Sequence, residues 1–119
     1  IVPKTVALLA SRFGARVQDV RMAIGPSAGA CCYEVDEPVL TRLRDVFPEW
    51  HSVVSPVDAQ KAHLDLRAFV RRQALREGLE AERIASVDAC TICQPDVFYS
   101  YRREGVVKAT MVSGIALLP

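Results

Sequence analysis

Apolar residues recur at the spacing of an α-helix in three separate segments, and short segments rich in β-branched residues lie between them. The predicted helices cover residues 2–13, 36–47 and 64–79. The predicted strands cover residues 17–24, 52–54, 83–88 and 106–117, with an irregular excursion over 51–62. Helices and strands in this order predict an α/β or α+β domain, in which a layered mixed sheet is flanked by helices.

Length and charge narrow the class of protein. The 119 residues predict a single domain with one core. The 15 Lys and Arg residues are interspersed with 14 Asp and Glu residues, which disfavours a nucleic-acid partner. The longest apolar run, residues 6–10, is far shorter than the ~20 residues that cross a bilayer, so no membrane partner is expected. We expect a cytoplasmic protein and, because Ile1 stands where a Met would begin, a processed chain or a fragment.

Residues 25–33 join the first predicted strand to the second predicted helix and consist mainly of small residues. Such a segment permits close approach of the backbone to a ligand, or it serves as a plain connector. The residues expected to shape this loop are Gly25, Pro26, Gly29, Cys31 and Cys32. Since neither histidine is close to the two cysteines in sequence, a structural role is favoured over a nucleophilic one.

The four cysteines form one adjacent pair, Cys31 and Cys32, and one C-x-x-C motif, Cys90 to Cys93. The chain is not cysteine-dense, which favours free thiols in a reducing compartment over disulfides. The C-x-x-C spacing is compatible with a redox pair or half of a zinc knuckle. An adjacent pair is a poor second half for a tetrahedral site, however, so the spacing disfavours a four-cysteine zinc site.

Three stretches together resemble the laccase-domain (YfiH-like) family, long labelled multicopper polyphenol oxidoreductases and also described as purine nucleoside phosphorylases. They are Ala-Ile-Gly-Pro-Ser-Ala-Gly-Ala-Cys-Cys-Tyr-Glu-Val at 23–35, His-Leu-Asp-Leu at 63–66, and Cys-Thr-Ile-Cys at 90–93 followed by Phe-Tyr-Ser-Tyr-Arg-Arg at 98–103. The resemblance runs across residues 1–119 and corresponds to the carboxy-terminal portion of a single YfiH-like domain. The fold is therefore expected to be incomplete.

The resemblance implies zinc-dependent attack of phosphate or water on purine nucleosides. The implied reactions are phosphorolysis of adenosine, inosine, guanosine or methylthioadenosine, and deamination of adenosine. In this family two His and one Cys bind zinc, and they belong to Val-His-Gly, Ala-Asp-Cys and His-Ala-Gly-Trp-Arg-Gly segments that do not occur in this sequence. No residue here is therefore assigned as a metal ligand or as catalytic. Copper oxidase chemistry is disfavoured, because several copper ions need many His ligands and the chain has two.

The motif at residues 98–103 supplies the first candidates for substrate binding. The planar guanidinium groups of Arg102 and Arg103 suit phosphate oxygens. If the segment is extended, Ser100 and Arg102 point to the same side and face a common site. The alternative is an exposed turn that carries a surface arginine pair.

Two further candidates lie near predicted helix starts. Glu34 could contact a ligand over the small-residue loop or complement the N-terminus of the second helix. His63, placed at the start of the third helix, could reach a substrate or serve in packing. Asp65 is interpreted as the cap of that helix.

Two functions remain open: a partial nucleoside-processing enzyme, and a noncatalytic α/β interaction domain. If further polypeptide completes the fold, an apolar surface should be exposed where the absent strands would pack. Open strand edges would also permit pairing with a second copy, so a homo-oligomer is a further expectation.

Overall fold

The amino-terminal helix, α1, forms where the apolar spacing predicts it. The computed structural model describes residues 1–116 of the chain. Helix α1 spans Val2–Phe13, with Pro3 in the first turn, where its missing N–H breaks no helical hydrogen bond. Gly14 ends the helix with φ 64°, a left-handed conformation that glycine adopts readily. The predicted helix and its C-cap are confirmed.

The first strand is shorter than predicted. Residues 17–19 form a 3₁₀ turn, and only Met22–Ile24 form strand β1. The N–H of Asp19 donates to the carbonyl of Arg16 at 2.9 Å, and the Arg16 guanidinium pairs with the Asp19 carboxylate at 2.7 Å. This local turn satisfies the backbone without strand pairing.

Strand β2 and helix α2 follow the small-residue loop. Strand β2 spans Glu34–Asp36, and α2 spans Glu37–Val46. Leu40 and Leu43, at helical spacing, are buried. The predicted helix is confirmed to within one residue at each end.

The segment before the third helix contains an antiparallel hairpin. Strand β3 spans Val54–Pro56, two residues beyond the predicted start, and β4 spans Lys61–Leu64. The predicted helix start at residue 64 is wrong, and so is the placement of His63 on that helix. Ala62 and Leu64 are both buried, at the two-residue period of a strand.

Helix α3 spans Leu66–Arg76, and its start is set by its cap. The Asp65 carboxylate accepts a hydrogen bond from the N–H of Ala68 at 2.9 Å, which confirms Asp65 as the cap. The chain turns at Gly78, with φ 90°, and continues to strand β5, Ile84–Ser86. This strand lies within the predicted range.

The carboxy-terminal part departs from its prediction. A short helix, α4, spans Tyr101–Glu104, where an extended segment was considered. Residues 106–116 contain no strand, so the predicted final strand is wrong over these residues, and Leu117 lies outside the described part of the chain. Val107 and Val112 are 72% and 95% exposed, which shows that these apolar residues find no packing surface among residues 1–116.

The strands form two small sheets rather than one. Strands β1 and β5 pair in parallel, and β2, β4 and β3 form an antiparallel sheet in that order. Parallel and antiparallel strands flanked by helices confirm the α/β class. Each sheet has its own buried cluster of side chains, and α3 contacts both clusters. The larger cluster contains Val35, Leu40, Leu43, Phe47, Val53, Ala62 and Leu64. The smaller contains Val2, Ile24, Ala74, Leu79 and Ile84.

Several large apolar side chains remain at the surface. Phe13 is 75% exposed and Ile115 is 80% exposed. The radius of gyration is 15.9 Å, larger than the roughly 13.5 Å of a compact domain of this length. Among residues 1–116, no helix has both the length and the apolar character needed to cross a membrane.

Candidate functional site

Two loops lie side by side beyond the carboxyl ends of the parallel strands. One follows β1 and covers residues 25–33, and the other follows β5 and covers residues 87–93. Backbone hydrogen bonds join them, from Val87 N–H to the Ile24 carbonyl at 2.9 Å and from Thr91 N–H to the Ser27 carbonyl at 3.0 Å. The carboxyl ends of parallel strands are where α/β proteins commonly bind ligands.

These paired loops bring all four cysteines together. The four sulfur atoms lie within 4.8 Å of one another. The Sγ of Cys93 lies 3.0 Å from that of Cys32 and 3.4 Å from that of Cys31. All four are free thiols; Cys90 is buried, and Cys31 and Cys93 are exposed. The sequence argument that an adjacent cysteine pair is a poor half of a tetrahedral site was wrong, because the turn from Gly29 to Tyr33 brings the sulfurs of Cys31 and Cys32 to the same side.

Gly29 permits this close approach. A Cβ at this position would lie 3.1 Å from the Cβ of Cys90 and 3.3 Å from the sulfur of Cys31, closer than side chains normally pack. The N–H of Gly29 donates to the Sγ of Cys90 at 3.2 Å. Burial alone would raise the pKa of Cys90, but hydrogen bonds from the backbone of Gly29, Cys93 and Ile92 outweigh burial and lower the pKa to about 6.

Arg103 holds the C-x-x-C loop from the side of α4. Its guanidinium donates to the carbonyls of Thr91 at 2.7 Å, Ile92 at 3.1 Å and Phe98 at 2.9 Å. Nε also pairs with Glu104 at 2.8 Å. The described contacts of Arg103 are thus structural, and substrate binding by this residue stays a prediction.

Arg102 and Glu34 share a polar cleft of about 250 Å³. Lys61 also lines the cleft, and its ammonium pairs with the Glu34 carboxylate at 2.7 Å. This contact raises the pKa of Lys61. The guanidinium carbon of Arg102 lies 5.1 Å from the ring centroid of Tyr33, a cation–π contact that positions the charge.

His63 lies on the same strand face as Glu34, since the two residues are directly paired between β4 and β2. The structure thus brings His63 near the cleft by a strand rather than by a helix end. Ser100 is buried at the start of α4, and its carbonyl accepts from the N–H of Glu104 at 2.9 Å. Because Tyr101–Glu104 is helical, the alternation expected to align Ser100 with Arg102 does not occur.

A further cavity among residues 1–116 carries no predicted site residue. Its volume is about 510 Å³, and Arg21, Glu82 and Ile115 are among the residues that line it. The polar cleft, which holds Glu34 and Arg102, and the thiol cluster, which holds the four cysteines, are taken as the two candidate sites.

Comparison with protein families identifies the fold's relatives. The model of the family described as "Multi-copper polyphenol oxidoreductase laccase" matches residues 1–118. The chain belongs to this laccase-domain family. The resemblance stated from the three motifs is thereby confirmed.

Named members of the laccase-domain family include enzymes of purine nucleosides. Purine nucleoside phosphorylase YlmD of Geobacillus stearothermophilus is 36% identical over 102 residues, which are 82% of this chain and 36% of the relative. Purine nucleoside phosphorylase LACC1 of Mus musculus is 28% identical over 95% of this chain and 26% of its own length. Adenosine deaminase RL5, from an unknown prokaryotic organism, is 31% identical over 96% of this chain and 44% of its own length. The chain thus spans less than half of these relatives.

Solved structures of the family have the same fold. The crystal structure of Bacillus licheniformis hypothetical protein YfiH aligns with a TM-score of 0.82 at 28% identity, covering 87% of this chain and 39% of the other. YlmD from Geobacillus stearothermophilus aligns with a TM-score of 0.80 at 34% identity, covering 87% and 38%. The predicted YfiH-like fold is confirmed.

The zinc site implied by the family resemblance does not fit the residues of this chain. That site takes two His and one Cys. Within residues 1–116, the group of His, Cys, Asp or Glu side chains that lie close enough together to hold a metal consists of the four cysteines. Neither His51 nor His63 belongs to that group. No step of a zinc-dependent reaction is therefore assigned to residues of this laccase domain.

Sequence reasoning missed two residues of the candidate sites, Lys61 and Tyr33. Lys61 fell in the segment predicted to be irregular, and only the pairing of β2 with β4 places it beside Glu34. Tyr33 enters the sequence predictions only as part of the motif at residues 23–35. The polar-apolar alternation over residues 61–64 was the available signal for β4.

Proposed function

We propose that this laccase domain is the carboxy-terminal part of a purine nucleoside phosphorylase. The observation that carries the proposal is the family match across residues 1–118, together with relatives that are named for this activity. The substrates would be phosphate and a purine nucleoside such as adenosine, inosine, guanosine or methylthioadenosine. The metal of the reaction, zinc by family resemblance, would be held by residues that these 119 do not include.

The polar cleft supports a role in binding an anionic substrate. Arg102 has no carboxylate partner among residues 1–116, whereas Lys61 is paired with Glu34. An arginine fixed over an aromatic ring presents a planar fork of donors to phosphate oxygens at little further cost in side-chain entropy. Within the proposal, Arg102 binds phosphate and Glu34 orients Lys61, while His63 lies beside Glu34 on the neighbouring strand.

The exposed apolar surface favours a partial enzyme over a self-sufficient interaction domain. Phe13 and Ile115 are largely exposed, and the β1–β5 sheet has only two strands among the described residues. A two-stranded sheet is marginally stable by itself. We infer that further polypeptide of the same enzyme covers these exposed side chains. We further propose a cytoplasmic location, where four free thiols would stay reduced.

The test joins the amino-terminal segment of the Geobacillus stearothermophilus relative to Ile1. The chimaera and the 119-residue chain alone are incubated with inosine, with and without phosphate, and free hypoxanthine is measured by chromatography. We expect phosphate-dependent release by the chimaera and none by the chain alone. The complete relative is the positive control. A folded chimaera that releases no hypoxanthine would favour the noncatalytic alternative.

Deamination of adenosine is the second candidate activity, favoured by the match to adenosine deaminase RL5. The same chimaera is incubated with adenosine, with and without phosphate. Conversion to inosine supports deamination, and release of adenine only when phosphate is present supports phosphorolysis alone.

A further inference from the structure

We propose that Cys31, Cys32, Cys90 and Cys93 bind one zinc ion, which fastens the loop after β1 to the loop after β5. This site is separate from the zinc implied by the family resemblance, since that zinc takes histidine ligands from segments absent here. It does not depend on the nucleoside chemistry proposed above.

The sulfur positions fit a tetrahedral metal. With Zn–S distances of about 2.3 Å, the four sulfurs of a tetrahedral site lie roughly 3.8 Å apart. Here Cys93 is 3.0 Å from Cys32 and 3.4 Å from Cys31, and all four sulfurs lie within 4.8 Å of one another. These separations bracket the tetrahedral value, so side-chain adjustments of less than about 1 Å would complete the site.

Disulfide formation explains the cluster less well. Cys93 contacts both Cys31 and Cys32, and one sulfur cannot form a disulfide with both. A Cys32–Cys93 bond would leave Cys31 and Cys90 as a second neighbouring pair, and two such disulfides would need the oxidising environment that a chain with four free thiols does not indicate. A metal uses all four sulfurs at once. Four soft thiolates in a tetrahedron are typical of zinc or of an iron–sulfur cluster, and the compact packing of the sulfurs favours a single ion.

The surroundings supply what an outer shell normally provides. The N–H of Gly29 donates to the sulfur of Cys90 at 3.2 Å, and such contacts orient a ligating sulfur. Arg103 fixes the loop between Cys90 and Cys93 through the carbonyls of Thr91 and Ile92.

The ion would be structural rather than catalytic. Four protein ligands close the coordination shell and leave no position for water or substrate. On binding, each thiol that becomes a ligand releases its proton, so up to four protons leave and the site carries two negative charges. The consequence is a rigid connection from β1 and β5 to the segment that carries α4 and Arg102.

The test is metal titration of the reduced, metal-free 119-residue chain. Zinc is added under argon and bound zinc is counted by mass spectrometry under native conditions; cobalt is then substituted and its visible spectrum recorded. We expect one zinc per chain and the intense ligand-field bands of tetrahedral cobalt bound by four thiolates. Reduced chain that binds no zinc, folded or unfolded, would overturn the proposal. A cobalt spectrum without sulfur-to-metal charge transfer, or iron and sulfide in protein isolated anaerobically, would also overturn it.

Matched variants locate the ligands. Each of the four Cys→Ser substitutions should weaken zinc binding by more than about 100-fold, beyond the loss typical of outer-shell changes. Gly29→Ala should weaken binding by about 10- to 100-fold, because its methyl group would crowd Cys90 and Cys31. His51→Ala removes a metal-binding side chain outside the cluster and should leave the affinity unchanged. If His51→Ala weakens binding as much as Cys90→Ser does, the ligand assignment is wrong.

Discussion

The thiol cluster and the polar cleft lie close together in sequence but differ in completeness. The four sulfurs come from two loops that the β1–β5 pairing holds side by side, and all the ligands a tetrahedral metal needs are present. Among residues 1–116, the cleft offers an arginine without a carboxylate partner and a Lys61–Glu34 ion pair, but no set of catalytic metal ligands. A site built from neighbouring loops can be complete within part of a domain, whereas the nucleoside site needs residues from elsewhere.

The largest expected effect is zinc-dependent stability. With free zinc at about 1,000 times its dissociation constant, the free energy of unfolding should rise by about 4 kcal/mol relative to metal-free chain. Urea unfolding followed by circular dichroism measures the difference. Cys90→Ser, with zinc affinity lowered by more than about 100-fold, should gain less than about 1.4 kcal/mol at the same zinc concentration. Equal stabilisation of the wild type and this variant would show that zinc binds elsewhere.

Substitutions of the two adjacent arginines should affect the polar cleft and the thiol cluster differently. In the chimaera, Arg102→Ala should lower the rate of phosphorolysis by about 100-fold, mainly through loss of phosphate binding, and leave zinc affinity at the cysteines unchanged. Steady-state kinetics with varied phosphate measures the first effect, and cobalt titration the second. Loss of activity without a change in the KM for phosphate would contradict phosphate binding by Arg102.

Arg103→Ala, unlike Arg102→Ala, should affect stability and zinc binding at the thiol cluster. It leaves the carbonyls of Thr91, Ile92 and Phe98 without this donor, which should lower the free energy of unfolding by about 1–3 kcal/mol. Zinc affinity should fall because the C-x-x-C loop loses its support. Arg103→Lys, which keeps the charge but not the planar fork, should recover only part of the loss. Unchanged stability and zinc affinity in Arg103→Ala would remove the structural role.

Local sequence signals predicted the helices better than they predicted either site. Gly14 marked the end of α1, and Asp65 was identified as a cap, yet Leu64 fits both a helical and a strand period. The cap decides between them, because the helix can begin only after Asp65. The cysteine cluster joins residues about 60 positions apart, through the parallel pairing of β1 with β5, which spacing along the chain does not reveal.

The smallest expected effect tests the start of helix α3 at Asp65. Asp65→Ala should lower the free energy of unfolding by about 1 kcal/mol, because the N–H of Ala68 loses its acceptor. Asp65→Asn should keep most of the stability, since an amide oxygen can cap as well. Urea unfolding of the three proteins measures the order, and equal losses in both variants would contradict the capping role.

The difference in completeness between the two sites is tested most directly by the zinc content of the chain and of the chimaera. Both are purified under reducing conditions, and zinc per polypeptide is measured by elemental mass spectrometry. One zinc in the 119-residue chain and two in the chimaera are predicted, since the joined segment would add the histidine-containing site. No zinc in the chain and one in the chimaera would contradict a complete metal site among the four cysteines.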